Sequence, residues 1–211
     1  MMSAEGGSAS GGDDRRTHVT PSLHVILHPS PFTLHRCLLA LSSAVLLILA
    51  FPNFNQTWCG WIALVPWLIA LRGTTPRRAF LWSCLVGLLF FLGSIWWLVH
   101  VTVIGWLVLC AYLALYFGIF GWLVRSIGLL PSAFCLLFVP SAWVALEYAR
   151  SHLLTGLGWN LLGYSQTSWL PIIQLADLTG VWGVSFLLVT VNAVLARVRP
   201  RREVQGDAAD E

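Results

Sequence analysis

Long apolar segments separated by short polar turns dominate the chain between residues 37 and 196. The segment 37–71 contains no charged side chain, and the segment 79–99 is also uncharged and rich in leucine and phenylalanine. An apolar run of about 20 residues can cross a bilayer as a helix. The pattern therefore predicts an all-α, polytopic transmembrane helical bundle of about six spans. The predicted spans lie near 35–51, 58–71, 79–99, 103–124, 129–149 and 172–197.

Two parts of this pattern depart from a simple series of spans. Pro52 and the polar residues after it break the first apolar segment, which predicts a hairpin of two short spans. The uncharged segment 153–171 contains Gly156, Gly163 and Pro171, which oppose a continuous helix. We expect this segment to be re-entrant or interfacial and buried against protein, because free backbone groups are not tolerated in lipid.

The composition agrees with a membrane protein. Of the 211 residues, 57% are hydrophobic and only 10% are charged, whereas a soluble domain has about 25% charged residues. Residues 1–33 are rich in glycine, serine, histidine and proline and are predicted to form a disordered cytoplasmic tail. A transmembrane domain over 34–198 and a polar C-terminal tail over 199–211 complete the predicted organisation.

Arginine supplies all twelve basic side chains, and the chain has no lysine. With six spans, eleven of these arginines fall on the side of the two termini and only Arg150 falls on the other. Basic residues close to span ends favour the cytoplasm, so both termini are predicted to be cytoplasmic. The arginines flank apolar spans and form no single basic face, so no nucleic-acid partner is predicted.

The five cysteines form no Cys-x-x-Cys pair, and four of them lie inside apolar runs. This spacing predicts neither a zinc site nor a disulfide framework. The histidines of the N-terminal segment are irregularly spaced. The sequence therefore predicts no metal site and no cofactor.

Polar, glycine and aromatic residues concentrate between Glu147 and Gly183. Polar side chains at membrane depth are costly and make a functional site the first hypothesis. They can equally be structural, with Glu147 and Arg150 pairing on one helical face and Asp177 favoured by a helix N-terminus. Both interpretations remain open. The candidate substrate- or lipid-binding residues are Glu147, Arg150, Trp159, Tyr164, Ser165, Gln166, Gln174 and Asp177.

At these residues the sequence resembles the membrane part of the apolipoprotein N-acyltransferase family, over roughly residues 37–197. The most specific match is the ordered string Thr155-Gly156, Trp159 and Gly163-Tyr164-Ser165-Gln166. Further matches are Leu49-Ala50-Phe51-Pro52, the segment 111–116, Glu147-x-x-Arg150, Leu154 and the run 174–183. One departure is Gly158, where the family often has proline.

The resemblance implies a bacterial inner-membrane protein of lipoprotein maturation. Family members transfer an acyl chain from a phospholipid to the α-amino group of a diacylglyceryl-cysteine at a lipoprotein N-terminus. The reaction passes through a cysteine thioester in a nitrilase-like domain, which also supplies a glutamate and a lysine. That domain follows the membrane helices, and in full-length members the segment with Trp159 and 163–166, together with Glu147 and Arg150, lies beneath the catalytic chamber, where lipid chains enter.

This sequence ends at Glu211 and contains no lysine, so no catalytic residue is assigned. The leading hypothesis is the membrane domain of such an enzyme, truncated or split from its catalytic domain and inactive alone. Its expected partners are phospholipid, diacylglyceryl lipoprotein and a separate nitrilase-like catalytic chain. The alternatives are a non-enzymatic lipid- or lipoprotein-binding membrane module and a small transporter that uses Glu147 and Asp177.

Overall fold

The computed structural model describes residues 31–52, 54–127, 132–154 and 156–197, and these form a helical bundle without β-strands. The predicted C-terminal tail and residues 1–30 of the predicted N-terminal tail lie outside the described residues. The described residues contain seven α-helices: α1 (Pro31–Ala50), α2 (Val65–Ala70), α3 (Pro76–Ser94), α4 (Val103–Ile127), α5 (Ser132–His152), α6 (Leu170–Ile173) and α7 (Ala176–Arg197). Three short 3-10 helices span Thr57–Trp61, Trp96–His100 and Leu162–Gln166.

The predicted all-α membrane class is confirmed, whereas the number of spans is not. Within the described ranges, α1, α3, α4 and α7 are long and apolar enough to cross a bilayer. The segment Thr57–Ala70 is apolar but shorter, and α5 has 21 residues with Pro140 inside it. The count of about six spans therefore remains a prediction.

The starts of α1 and α3 both differ from the predicted boundaries, and each lies at a proline. Helix α1 begins at Pro31, so residues 31–33 belong to the helix and not to the tail. Helix α3 begins at Pro76, and the Thr75 side chain before it accepts a hydrogen bond from the Arg78 backbone N–H at 3.4 Å. Proline is well suited to the first helical turn, where its missing N–H costs nothing. Prolines therefore mark both starts more accurately than the hydrophobic pattern does.

The short segment 57–70 is held in the bundle by buried polar side chains. Asn192 of α7 accepts a hydrogen bond from the Leu64 N–H at 2.9 Å and donates one to the Gly60 carbonyl at 3.0 Å. Ser43 of α1 accepts a bond from the Trp67 N–H at 2.9 Å. Buried backbone groups need partners, and these side chains provide them where the helix is interrupted.

Aromatic rings fill the centre of the bundle. The fully buried Trp67 stacks on Phe117 at 5.3 Å between ring centroids and meets Trp143 edge-on at 6.1 Å. Its indole N–H donates to the Ser83 hydroxyl at 2.9 Å. Large aromatic side chains bury much surface, and their polar atoms need a partner when buried. This cluster joins α2, α3, α4 and α5.

Helix α7 is interrupted near its start. Gly180 adopts φ 66° and ψ −176°, which is not helical. A residue with a side chain would be strained at this positive φ, whereas glycine is not. The long regular part of the last helix therefore begins after Gly180, and Asp177 lies in a separate first turn.

The bundle has two chemically different ends. The first end, which we call the arginine end, carries Arg36, Arg72, Arg78, Arg125 and Arg197. Arg36 donates to the Arg72 carbonyl at 3.4 Å, and Arg125 donates to the Thr74 carbonyl at 3.0 Å. Arg72, Arg125 and Arg197 line one cavity, while Arg36 and Arg78 line a neighbouring groove. The opposite end, which we call the loop end, consists of the described residues within 51–61, 96–102 and 153–175, the last turns of α5 from Glu147 onward and the first turn of α7 with Asp177.

Candidate functional site

Glu147 ties the loop end to helix α5. Its side chain is only 4% exposed, and its Oε1 accepts a hydrogen bond from the Leu162 backbone N–H at 2.7 Å. The next residue, Gly163, donates its N–H to the Ser185 hydroxyl of α7 at 2.9 Å. Charged hydrogen bonds of this length are stronger than neutral ones. The two bonds fix the start of the 3-10 helix 162–166 between α5 and α7.

Arg150 binds the same segment one helical turn further on. Its guanidinium donates to the Trp159 carbonyl at 2.8 Å and to the Asn160 carbonyl at 3.3 Å. It also lies over the Phe91 ring, 5.4 Å from the centroid. The side chain is 4% exposed, so these contacts replace water for a charge that would be costly to bury alone.

Glu147 and Arg150 attract each other without a direct salt bridge. Among the described residues, no nitrogen of Arg150 lies within 4.0 Å of a carboxylate oxygen of Glu147, although the two opposite charges interact electrostatically over a longer distance. They are connected instead through the segment 159–162, to which both are hydrogen-bonded. The two residues predicted to pair therefore bind the loop segment 159–162 at two points, an arrangement that we call the clamp.

A small cavity borders this clamp. It has a volume of about 20 Å³ and is lined by Glu147, Arg150, Tyr116 and Asn160 together with aromatic and leucine side chains. The second oxygen of Glu147, Oε2, accepts no hydrogen bond of good geometry from a described residue, although Trp143 and Ser185 lie close to the carboxylate. A cavity of this size holds about one water molecule. It is too small to be a lipid or peptide site.

Ser165 and Gln166 form a second buried framework. The Gln166 Nε2 donates to the Thr57 carbonyl and to the Ser165 hydroxyl, both at 2.9 Å. Its Oε1 accepts a bond from the Trp61 indole N–H at 3.1 Å. Gln166 is fully buried, and its hydrogen bonds link the segment 162–166 to the first hairpin.

The remaining four candidates are exposed. Trp159 is 51% exposed and packs against Trp97 with ring centroids 5.4 Å apart. Tyr164 is also exposed, as are Gln174 and Asp177. Glu147 is buried while Asp177 is exposed, and the cavity bordered by Glu147 does not include Asp177.

A larger groove opens beside Trp159. It has a volume of about 260 Å³ and lies between the ends of α1 and α3 and the loop residues that follow Gly158. Its lining residues are Ile48, Phe51, Pro52, Ser94, Ile95, Trp97, Trp159 and Asn160. The Ser94 hydroxyl is buried and finds no partner among the described residues. The groove combines apolar and aromatic walls with a few polar groups, as ligand sites commonly do.

The structure therefore divides the predicted site. Glu147, Arg150, Ser165 and Gln166 hold the loop in place from inside, and of the eight candidates only Trp159 lines the groove. Sequence reasoning missed Asn160, Ser94 and Trp61. Asn160 had a usable signal, because it adjoins Trp159 and adopts a positive φ of 55°, which asparagine tolerates better than most residues. Ser94 and Trp61 were indistinguishable from other residues of apolar segments.

Fold and site together define a multi-pass helical membrane protein in which buried polar side chains support an aromatic surface at one end. The comparisons with known proteins identify the family. A model described as "Apolipoprotein N-acyltransferase N-terminal domain" matches residues 43–194, and the chain belongs to this family.

Individual relatives agree with this assignment. An apolipoprotein N-acyltransferase of Geobacter metallireducens is 40% identical over 185 residues, which are 82% of this chain and 34% of the relative. Apolipoprotein N-acyltransferase 1 of Treponema denticola is 32% identical and covers 78% of this chain and 31% of its own length. The protein of Pasteurella multocida is 34% identical, over 74% of this chain and 31% of its own. The chain thus spans about a third of the length of these relatives.

Proposed function

We propose that this chain forms the membrane domain of an apolipoprotein N-acyltransferase. In this role it admits a phospholipid acyl donor and a diacylglyceryl lipoprotein and seats the domain that performs acyl transfer. The acyl chain of the donor lies in the groove beside Trp159. The observation that carries the proposal is the family match over residues 43–194 combined with a groove at the loop end.

The geometry gives each group of candidates a role in this proposal. Glu147 and Arg150 hold the backbone at Trp159–Leu162, and Gln166 holds the following turn against the first hairpin. A loop fixed at both places keeps the Trp159 ring on Trp97 at the mouth of the groove. Preorganised loops bind ligands better, because less freedom is lost on binding.

The orientation forms part of the proposal. Arginine near span ends favours the cytoplasmic side, so we place the arginine end in the cytoplasm and the loop end at the outer face of the bacterial inner membrane. The test introduces cysteine at Arg77 or at the exposed Leu178 in a background with the five native cysteines replaced. A membrane-impermeant maleimide added to intact cells should label the Leu178 position and not the Arg77 position. The reverse pattern would refute this orientation.

A chimera tests the function. The segment of the Geobacter metallireducens protein that aligns with this chain is replaced by residues of this chain, and the chimera is expressed in bacteria depleted of their own enzyme. The expected result is triacylated reporter lipoprotein, measured by mass spectrometry of its N-terminal peptide. The chain expressed alone should leave the reporter diacylated.

Matched tryptophan variants make the test specific to the groove. Trp159→Ala should reduce triacylation in the chimera by about tenfold or more, because it removes a wall of the groove. Trp169→Ala removes a tryptophan of the same end that is also exposed, packs on Trp61 and does not line the groove, and this variant should retain most activity. A chimera that inserts at the parental level but never yields triacylated reporter would refute the proposal and favour a non-enzymatic lipid-binding module.

A further inference from the structure

The arginine end contains a groove that the proposed function does not use. It lies between the start of α1 and the first half of α3 and has a volume of about 620 Å³. Arg36 and Arg78 lie on its polar side, and Leu81, Trp82 and Leu85 form its apolar wall. Leu81 is 66% exposed and Leu85 is 38% exposed, as expected for side chains that face lipid.

The charge around this groove is one-sided. Within the described residues this end carries arginines at positions 36, 72, 77, 78, 125 and 197, whereas the two described carboxylates, Glu147 and Asp177, belong to the loop end. The flanking segments offset only part of this charge, because residues 1–30 carry three carboxylates against two arginines, and residues 198–211 carry four against three.

The two groove arginines retain free donors. Arg36 uses its Nη2 in a long bond of 3.4 Å to the Arg72 carbonyl, and each guanidinium has five N–H groups. Among the described residues, no hydrogen bond from the Arg78 guanidinium is seen, and only its backbone N–H is engaged, with Thr75. The groove therefore combines cationic donors that have no protein partner among the described residues with an apolar wall.

We propose that this groove binds an anionic phospholipid of the adjacent leaflet. The headgroup phosphate is held by Arg36 and Arg78, and an acyl chain lies along Leu81, Trp82 and Leu85. Basic pockets between transmembrane helices bind anionic headgroups in this way, and the fork of an arginine side chain fits phosphate oxygens. The site is distinct from the groove beside Trp159 and does not depend on the proposed acyl-transfer role.

Native mass spectrometry of the purified 211-residue chain in detergent tests the proposal. Phosphatidylglycerol and phosphatidylcholine with identical acyl chains are titrated separately, and the fraction of chain with one bound lipid is measured. Phosphatidylglycerol should bind at least about tenfold more tightly. Each basic residue near an anionic headgroup is worth about fivefold in affinity, so Arg78→Gln should weaken its binding about fivefold, and the double variant R36Q/R78Q about twentyfold or more.

The neighbouring Arg77 supplies the matched control. It is exposed, follows the same proline and does not line the groove, so Arg77→Gln removes the same charge and should change phosphatidylglycerol affinity less than twofold. Equal effects of Arg77→Gln and Arg78→Gln would show diffuse surface attraction and overturn the site. Equal binding of the two lipids would overturn it as well.

A second measurement locates the lipid without altering an arginine. Phosphatidylglycerol brominated on its acyl chain should quench the fluorescence of Trp82, measured as the difference between the parent and Trp82→Phe. Brominated phosphatidylcholine at the same concentration should quench this component much less. Equal quenching by both lipids would contradict the proposal.

Discussion

The two ends of the bundle use polar residues in opposite ways. At the arginine end, long side chains such as Arg77 and Arg78 are exposed and leave most of their donors free. At the loop end, Glu147, Arg150 and Gln166 are buried, and they form hydrogen bonds with backbone and side-chain groups of the protein.

The difference shows that polar residues in an apolar chain serve two purposes that composition does not separate. Exposed arginines have few protein partners among the described residues and, in our proposal, bind lipid headgroups, so their loss should affect lipid binding and orientation more than stability. Buried polar side chains supply the hydrogen bonds that regular secondary structure would otherwise provide, because leaving the backbone groups of an irregular segment unpaired would be costly. Their loss should affect stability first.

The largest expected effect comes from a pair of arginines, one at each end. Arg150→Ala removes two bonds to loop carbonyls and leaves Glu147 as a buried charge without its nearest counter-charge, so the free energy of unfolding should fall by about 3–5 kcal/mol. Arg125→Ala removes one bond, to the Thr74 carbonyl, from a half-buried side chain, and about 1 kcal/mol is expected. Unfolding in mixed micelles measures both. Equal losses would mean that the two ends do not differ as described.

A pair of glutamines gives the next largest contrast. Gln166→Leu leaves the Thr57 carbonyl and the Trp61 indole N–H without their partner, which should cost about 2–3 kcal/mol. Gln174→Leu changes an exposed glutamine of the same end and should stay within about 0.5 kcal/mol. The same unfolding assay applies, and a small loss for Gln166→Leu would show that water replaces its contacts.

Two glycines of the loop end test its close packing. A Cβ on Gly163 would lie 2.6 Å from the Val181 carbonyl oxygen and 3.3 Å from the Ser185 backbone nitrogen, whereas the nearest atom to one on Gly158 would be the Ser151 Oγ at 3.8 Å. Gly163→Ala should therefore destabilise the chain by about 1–3 kcal/mol, and Gly158→Ala by less than about 0.5 kcal/mol. Thermal unfolding of both variants decides the point; equal melting temperatures would exclude the close contact.

The smallest effect on stability is expected at the arginine end itself. Arg78→Gln should change the free energy of unfolding by less than about 0.5 kcal/mol, because its guanidinium is exposed. The same variant should nevertheless weaken phosphatidylglycerol binding in the lipid titration. A stability loss similar to that of Arg150→Ala would erase the distinction between the two ends.

The sequence by itself determined the class of fold, the irregular segment before the last helix, the separation of all arginines except Arg150 from the polar stretch, and the resemblance to the family. These follow from properties that are local in the chain: apolar run length, prolines, glycines and short ordered motifs. The predicted starts of α1 and α3 were less accurate, because these helices begin at Pro31 and Pro76 and the hydrophobic pattern does not mark those positions.

Only the tertiary structure decided which polar residues are structural and which face a groove. Gln166 and Trp61 are 105 positions apart, and Asn192 and Gly60 are 132 apart, so no local pattern could pair them. Glu147 and Arg150 share a helical face, as their spacing predicts, yet both turn to the backbone of 159–162. The physical reason is that backbone groups of an irregular segment must be satisfied wherever the fold buries them, and the packing of distant helices determines which side chains are close enough to do so.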